Sequence, residues 1–104
     1  MNQVKIHTKK ELLATLSKNR EVIKSFGVAS LGIFGSFSKG KIHESSDVDF
    51  LVDFDPRKKS FDNFMDLSFF LEDIIGRKVE IVTNQSLSKF IGPHIINEVQ
   101  HVSL

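Results

Sequence analysis

Cysteine, tyrosine and tryptophan are all missing from this 104-residue chain, and proline occurs only twice. Without cysteine there can be no disulfide and no thiolate zinc site, and a reducing compartment is no threat to the protein. An excess of one charge sign is missing too. With 14 basic and 13 acidic residues the net charge is +1, so no bulk field draws the chain to nucleic acid or to an anionic membrane. Long apolar runs are also absent. The longest stretch without a charged residue, Ser25 to Ser38, has 14 residues and contains three glycines, whereas a bilayer span needs about 20 apolar residues. The N-terminus lacks the apolar segment of a signal peptide. What remains is an ordinary globular composition, 40 % hydrophobic and 26 % charged. These bounds predict one domain over residues 1–104, cytoplasmic, without linker or repeat.

Against that plain background one stretch stands out, Leu31 to Asp53, LGIFGSFSKGKIHESSDVDFLVD. An apolar run ends in Gly35-Ser36, and after ten residues a second apolar run opens with Asp47 and Asp49. Val28 to Phe34, bounded by Gly27 and Gly35, reads as a buried strand. Ser36 to Lys39 can form one helical turn, and Gly40 to Ser46 a polar loop. From Asp47 to Phe54 the chain alternates, with Val48, Phe50 and Val52 facing one way and Asp47, Asp49 and Leu51 the other.

The flanking segments supply the frame. Residues 1–7 read as a loose start. Thr8 and Glu11 form a capping-box pattern that opens a helix over 9–25, closed by Gly27. A second helix is predicted over 61–75 and stopped by Gly76. Its apolar residues cover more of the circumference than one sheet face can bury, so either the C-terminal segment covers the outer side or, the favoured reading, it forms a subunit or partner interface. Val79 to Thr83 is a third strand carrying Glu80. Short helices are expected at 86–91 and 94–100 and an edge strand at 101–104. This order predicts an α/β (α+β) fold, a small mixed β-sheet packed with helices.

The residue types in the central stretch have a shared chemistry. Two aspartates two apart on a strand lie on one face with Cα atoms about 6.5–7 Å apart. Left unpaired, their carboxylates repel and are costly to desolvate; a hard divalent cation resolves both problems. Mg²⁺ characteristically takes one or two carboxylates plus substrate phosphates. Gly35 lets backbone approach a phosphate, the turn after it offers N–H donors, and Ser36, Lys39 and Lys41 add a hydroxyl and positive charge. Glu80, on a neighbouring strand, is the candidate third acid, able to ligate a metal or accept a proton from an incoming hydroxyl. Together these point to a nucleoside triphosphate bound through its phosphates and Mg²⁺.

Gly-Ser, Asp-x-Asp and a separate third acid resemble the signature of the DNA polymerase β-like nucleotidyltransferase superfamily. In length and layout the chain resembles its minimal nucleotidyltransferase (MNT) family over about residues 10–100, most specifically over 34–53. The resemblance implies that Gly35, Ser36 and Lys39 bind the triphosphate of ATP. It implies that Asp47, Asp49 and Glu80 are the catalytic acids and hold Mg²⁺, two ions in the two-metal scheme. Glu80 stands where the family usually has aspartate. Lys39 stands where arginine is common, which exchanges a bidentate fork for a point charge. The resemblance further implies an antitoxin that transfers AMP to a tyrosine hydroxyl of a HEPN-domain toxin. The chain has no tyrosine of its own to accept it. Two other readings stay open: an MNT domain that neutralises its partner by binding alone, and a small-molecule nucleotidyltransferase subunit whose acceptor-binding domain is a separate chain. The expected partners are the HEPN toxin and a nucleoside triphosphate, in a homodimer or hetero-oligomer, with neither membrane nor direct nucleic-acid contact.

Other polar residues have plainer readings. Ser45 and Ser46 read as loop and cap, Arg57-Lys58-Lys59 as a solvated loop, and His7, His43, His94 and His101 lack metal-ligand spacing.

Overall fold

The computed structural model describes residues 5–83 and 99–104. Its centre is a four-stranded mixed sheet of β1 (Val28–Phe34), β2 (Val48–Phe54), β3 (Val79–Thr83) and β4 (Gln100–Val102), in the order β3-β2-β1-β4. β1 runs antiparallel to β2 and to β4, while β2 and β3 are parallel. The parallel pair needs a crossover, and helix α4 (Phe61–Ile75) provides it. The α+β class and mixed sheet agree with the sequence reading, as do the bounds of β1, β3 and α4.

The alternation along β2 decides which face is buried. Val48, Phe50, Val52 and Phe54 point into the core, and the register sets Leu31 beside Val52 and Ile33 beside Phe50. Helices α1 (Lys9–Lys18), α2 (Arg20–Ser25) and α4 cover this side with Leu12, Leu16, Ile23, Leu67, Leu71 and Ile75. The opposite side carries Phe34, Asp49 and Glu80 in one row across the strands, with Gly32, Leu51 and Val82 in the next.

The N-terminal helix is two helices, contrary to the single one expected over 9–25. The capping box forms, with the Glu11 N–H donating to Thr8 Oγ1 and the Thr8 N–H to Glu11 Oε1. At Asn19 the backbone leaves helical angles (φ −107°, ψ 15°), and the side-chain amide donates to the Thr15 carbonyl at 2.8 Å. A short amide that bonds the preceding turn competes with helix propagation, and the chain bends there.

Residues 5–7 are not loose. Ile6 is buried, its N–H donates to the Ile75 carbonyl at 2.9 Å, and its own carbonyl accepts from Arg77 Nε. At the C-terminal end Gln100 opens strand β4, paired with Ile33, because the β1 edge offers it a ladder. The helix expected over 94–100 is therefore wrong at that residue. The rest of it, and the helix at 86–91, lie outside the described residues. Asp47 stands one residue before β2 and outside its ladder.

Helix α4 begins where Ser60 Oγ accepts the Asn63 N–H and ends at Gly76, whose left-handed φ of 72° only glycine adopts without strain. Its wide apolar coverage is real. Leu67, Leu71 and Ile75 are fully buried, whereas Phe61 is 75 % and Phe69 60 % exposed. Among the described residues no helix is long and apolar enough to cross a membrane.

This asymmetry predicts opposite outcomes on one helix. Leu71→Ala should cost about 2–5 kcal/mol in urea unfolding, and Phe69→Ala should stay within about 0.5 kcal/mol of the parent.

Candidate active site

At the end of β1 the backbone enters a conformation that only glycine tolerates. Gly35 sits at φ 75°, ψ −150° and serves as N-cap of the one-turn helix α3 (Ser36–Lys39). No side chain caps this turn. The turn is closed by the Lys39 N–H donating to the Gly35 carbonyl at 3.1 Å and the Lys41 N–H to the Ser36 carbonyl at 2.9 Å. Phe37 plugs the turn into the core, which leaves Ser36 half-buried at the rim and Lys39 exposed.

The β1–β2 register brings the acids to this turn. Phe34, the last residue of β1, lies opposite Asp49. The Asp49 carboxylate then rests directly on Gly35, so that a Cβ at position 35 would collide with Asp49 Oδ2. Gly35 is therefore required twice, for its φ and for the space its missing side chain leaves.

Glu80 arrives by the other pairing, level with Asp49 in the parallel β2–β3 ladder. Asp49 is half-buried, with Asp47 and Glu80 exposed beside it. Its carboxyl is pushed above the ordinary aspartate value, first by burial and then by the negative charges of Glu80 and Asp47. The ion pairs formed among the described residues lie elsewhere, at Lys5–Glu44, Lys24–Glu21 and Arg57–Asp55. A carboxylate flanked by two others, beside a turn whose first residues carry no side-chain cap, is a donor set suited to a hard divalent cation. The three acids do not by themselves make a closed cage, since among the described residues no group of three acidic, histidine or cysteine side chains is gathered closely enough to hold an ion. The set fits a cation that shares carboxylate and phosphate oxygens. Asp47 and Asp49, flanked by Glu80, are the residues that would hold it; its chemistry there would be to neutralise phosphate charge.

Gly35, Ser36, Asp47, Asp49 and Glu80 thus lie at one end of the neighbouring strands β1, β2 and β3, with Lys39 at the far end of the turn. One residue beside them carried no sequence signal. Arg77 is 6 % exposed, the one buried charged residue among those described. Its Nε donates to the Ile6 carbonyl at 2.6 Å, and its Nη1 to the carbonyls of His43, Glu44 and Ser46 at 3.0, 3.2 and 2.9 Å. Its guanidinium also stands 5.2 Å from the centre of the Phe37 ring. These partners are 31 or more residues away along the chain, so no local pattern announces them. Ser46 is a loop residue that closes a turn, its Oγ accepting the His43 N–H at 2.8 Å and its N–H donating to the His43 carbonyl at 3.1 Å; it caps no helix among the described residues. Arg57 pairs with Asp55 on the surface, consistent with a solvated loop.

With this geometry established, similarities to known proteins can be weighed. A family model described as a nucleotidyltransferase domain matches residues 16–102. The protein adenylyltransferase MntA of Thermococcus cleftensis is 39 % identical over 83 residues, covering 80 % of this chain and 83 % of that one. A solved structure described as a minimal nucleotidyltransferase superposes with a TM-score of 0.69 at 28 % identity, over 88 % of this chain and 95 % of that one. An MNT antitoxin solved in complex with a tri-AMPylated Shewanella oneidensis HEPN toxin gives a TM-score of 0.63 at 15 % identity, over 86 % of this chain and 70 % of its match, a likeness of fold.

Two outcomes test the site. Gly35→Ala should lose about 1–3 kcal/mol of stability to backbone strain alone, and triphosphate binding with it, read by calorimetric titration. For Asp49→Asn the sign follows from its raised folded-state pKa. The native state prefers the protonated acid, so ionisation destabilises it as pH rises through the carboxylate range. In chelator the variant should melt above the parent near neutral pH and level with it in acid, where Asp49 is protonated both folded and unfolded.

Proposed function

This chain belongs to the nucleotidyltransferase domain family and is a nucleotidyltransferase; from that premise we propose that it transfers AMP from ATP to a hydroxyl of a HEPN-domain toxin and thereby acts as an antitoxin. The observation that carries the reading is the contact of Asp49 with Gly35, which joins a phosphate-accepting turn to an acid cluster at one point. The turn at Gly35 and Ser36, with Lys39 at its end, binds the triphosphate. Asp47 and Asp49 would hold Mg²⁺, whose chemistry there would be to neutralise the phosphate charge. The acceptor oxygen bonds to the α-phosphorus, the bond to the bridging oxygen of the β-phosphate breaks, and pyrophosphate leaves. In this reading Glu80 takes the acceptor's proton, a role supported by its exposure and its position level with Asp49.

Because the chain contains no tyrosine, a tyrosine acceptor has to come from another molecule. A tyrosine of the toxin is the acceptor we favour, and the reaction is set in the cytoplasm. The names and descriptions of the relatives, one a protein adenylyltransferase and one an antitoxin bound to an AMPylated toxin, support the same direction. The face offered to the toxin is α4, where Phe61 and Phe69 are exposed and a cavity of about 510 Å³ opens between Phe54, Phe61, Phe64 and Ile81.

A second reading, neutralisation by binding alone, is favoured by one specific feature: the three acids are not gathered into a ligand cage. The two readings separate cleanly. Incubated with labelled ATP, Mg²⁺ and the cognate toxin, the wild type should label the toxin, and Asp47→Ala with Asp49→Ala should lower the rate by a hundredfold or more, roughly the several kcal/mol that metal-held charge stabilisation supplies. If the wild type labels nothing while the double variant still protects cells, and Phe61→Asp with Phe69→Asp abolishes protection, binding alone is the function.

A further inference from the structure

We propose that Arg77 is a positioning residue for the acid pair, and that its buried guanidinium sets the metal affinity of the site without touching metal or substrate. The inference rests on the reading of Asp47 and Asp49 as metal-holding residues.

Arg77 touches all three parts of the site. Its Nη1 gathers the carbonyls of His43, Glu44 and Ser46, the segment that ends one residue before Asp47. Its guanidinium lies over Phe37, the core plug of the phosphate-accepting turn. Its own backbone leads into β3, where Glu80 follows three residues later, and the neighbouring Lys78 carbonyl accepts the Val48 N–H at 3.0 Å, between the two aspartates. A single side chain thus ties the entry to Asp47, the turn at Ser36 and the start of the Glu80 strand.

The chemistry of the contact explains why arginine is needed. Asp47 stands outside the β2 ladder; the Val48 N–H on the Lys78 carbonyl fixes the chain after it, and no strand pairing among the described residues fixes the chain before it. Three carbonyls converging on one nitrogen fix it from behind instead. Arg77 is neutralised by carbonyl dipoles and a ring face, with no carboxylate hydrogen-bonded to it among the described residues. Burying a guanidinium in this way is poor economy if stability is the sole return, because apolar packing of the same volume commonly serves as well. What an apolar side chain cannot do is hold a loop backbone in one conformation. Lysine cannot do it fully either, since a single ammonium lacks the planar fork that reaches Ile6 and residues 43–46 together.

The test measures Mn²⁺ binding by electron paramagnetic resonance, with and without ATP, in the wild type, Arg77→Lys, Arg77→Met and the core variant Leu71→Ala. Folding of each is verified by circular dichroism at the temperature used. Outer partners of metal ligands typically change affinity by about 10–100-fold, so both Arg77 variants should bind Mn²⁺ at least about tenfold more weakly. Leu71→Ala, destabilised but with its site intact, should bind as the wild type does. If folded Arg77→Met binds Mn²⁺ within about twofold of wild type, or if Leu71→Ala weakens binding as much, Arg77 is a packing residue and the proposal is overturned. Should Arg77→Met not fold, Arg77→Lys decides: it keeps a buried cation but cannot bond Ile6 and residues 43–46 together, and wild-type affinity in that variant overturns the proposal equally. A wild type that binds no Mn²⁺ at all overturns the metal-holding reading itself, an outcome distinct from equal binding by wild type and variants.

Discussion

The antiparallel pairing of β1 with β2 is the constraint on which the rest of the molecule depends. It sets Phe34 opposite Asp49, and from that pairing the Asp49 carboxylate comes to rest on Gly35. A shift by one residue would turn Val48, Phe50 and Val52 out of the core and bury the aspartates in their place. The hydrophobic core and the acid cluster are therefore two faces of one register. A slip of two residues would keep these faces and still carry Asp49 away from Gly35, so the site depends on the register itself and not only on which face is buried.

A site of this kind is built against local stability. Asp49 is half-buried between two other acids, Gly35 holds a conformation closed to other residues, and Arg77 carries a charge into the interior. Each costs free energy on the order of 1 kcal/mol or more. The offset comes from the other side of the sheet, where three helices seal an apolar core around Phe50 and Leu71. The division is spatial: the face that packs is apolar and covered, and the opposite face bears the carboxylates. Family membership agrees with this division, and one strand pairing sets the Gly35 turn and the Asp49 carboxylate side by side.

Much of this was legible in the chain itself. Alternation along Val48–Phe54 revealed both the buried and the acidic face, and glycines at 27, 35 and 76 marked where elements end. The Gly-Ser to Asp-x-Asp spacing pointed to the site before any pairing was known. Other features were not legible, for physical reasons. The break at Asn19 depends on whether a side-chain amide or the next turn wins one carbonyl, a balance that apolar periodicity does not register. Ile6 reads as part of a loose start because its burial comes from Ile75 and Arg77, some 70 residues on. Gln100 fits a helical pattern equally well until the free edge of β1 is there to receive it.

By itself, then, the sequence singled out the residues read as the site and, Asp47 apart, the kind of element on which each one sits, because spacing and polarity are properties of neighbours in the chain. Tertiary structure alone decided that Asp49 lies on Gly35, that Glu80 draws level with Asp49 through a parallel ladder, and that a buried arginine ties the loop before Asp47 to the turn at Phe37. Those are contacts between segments tens of residues apart, and only the register of the strands brings them together.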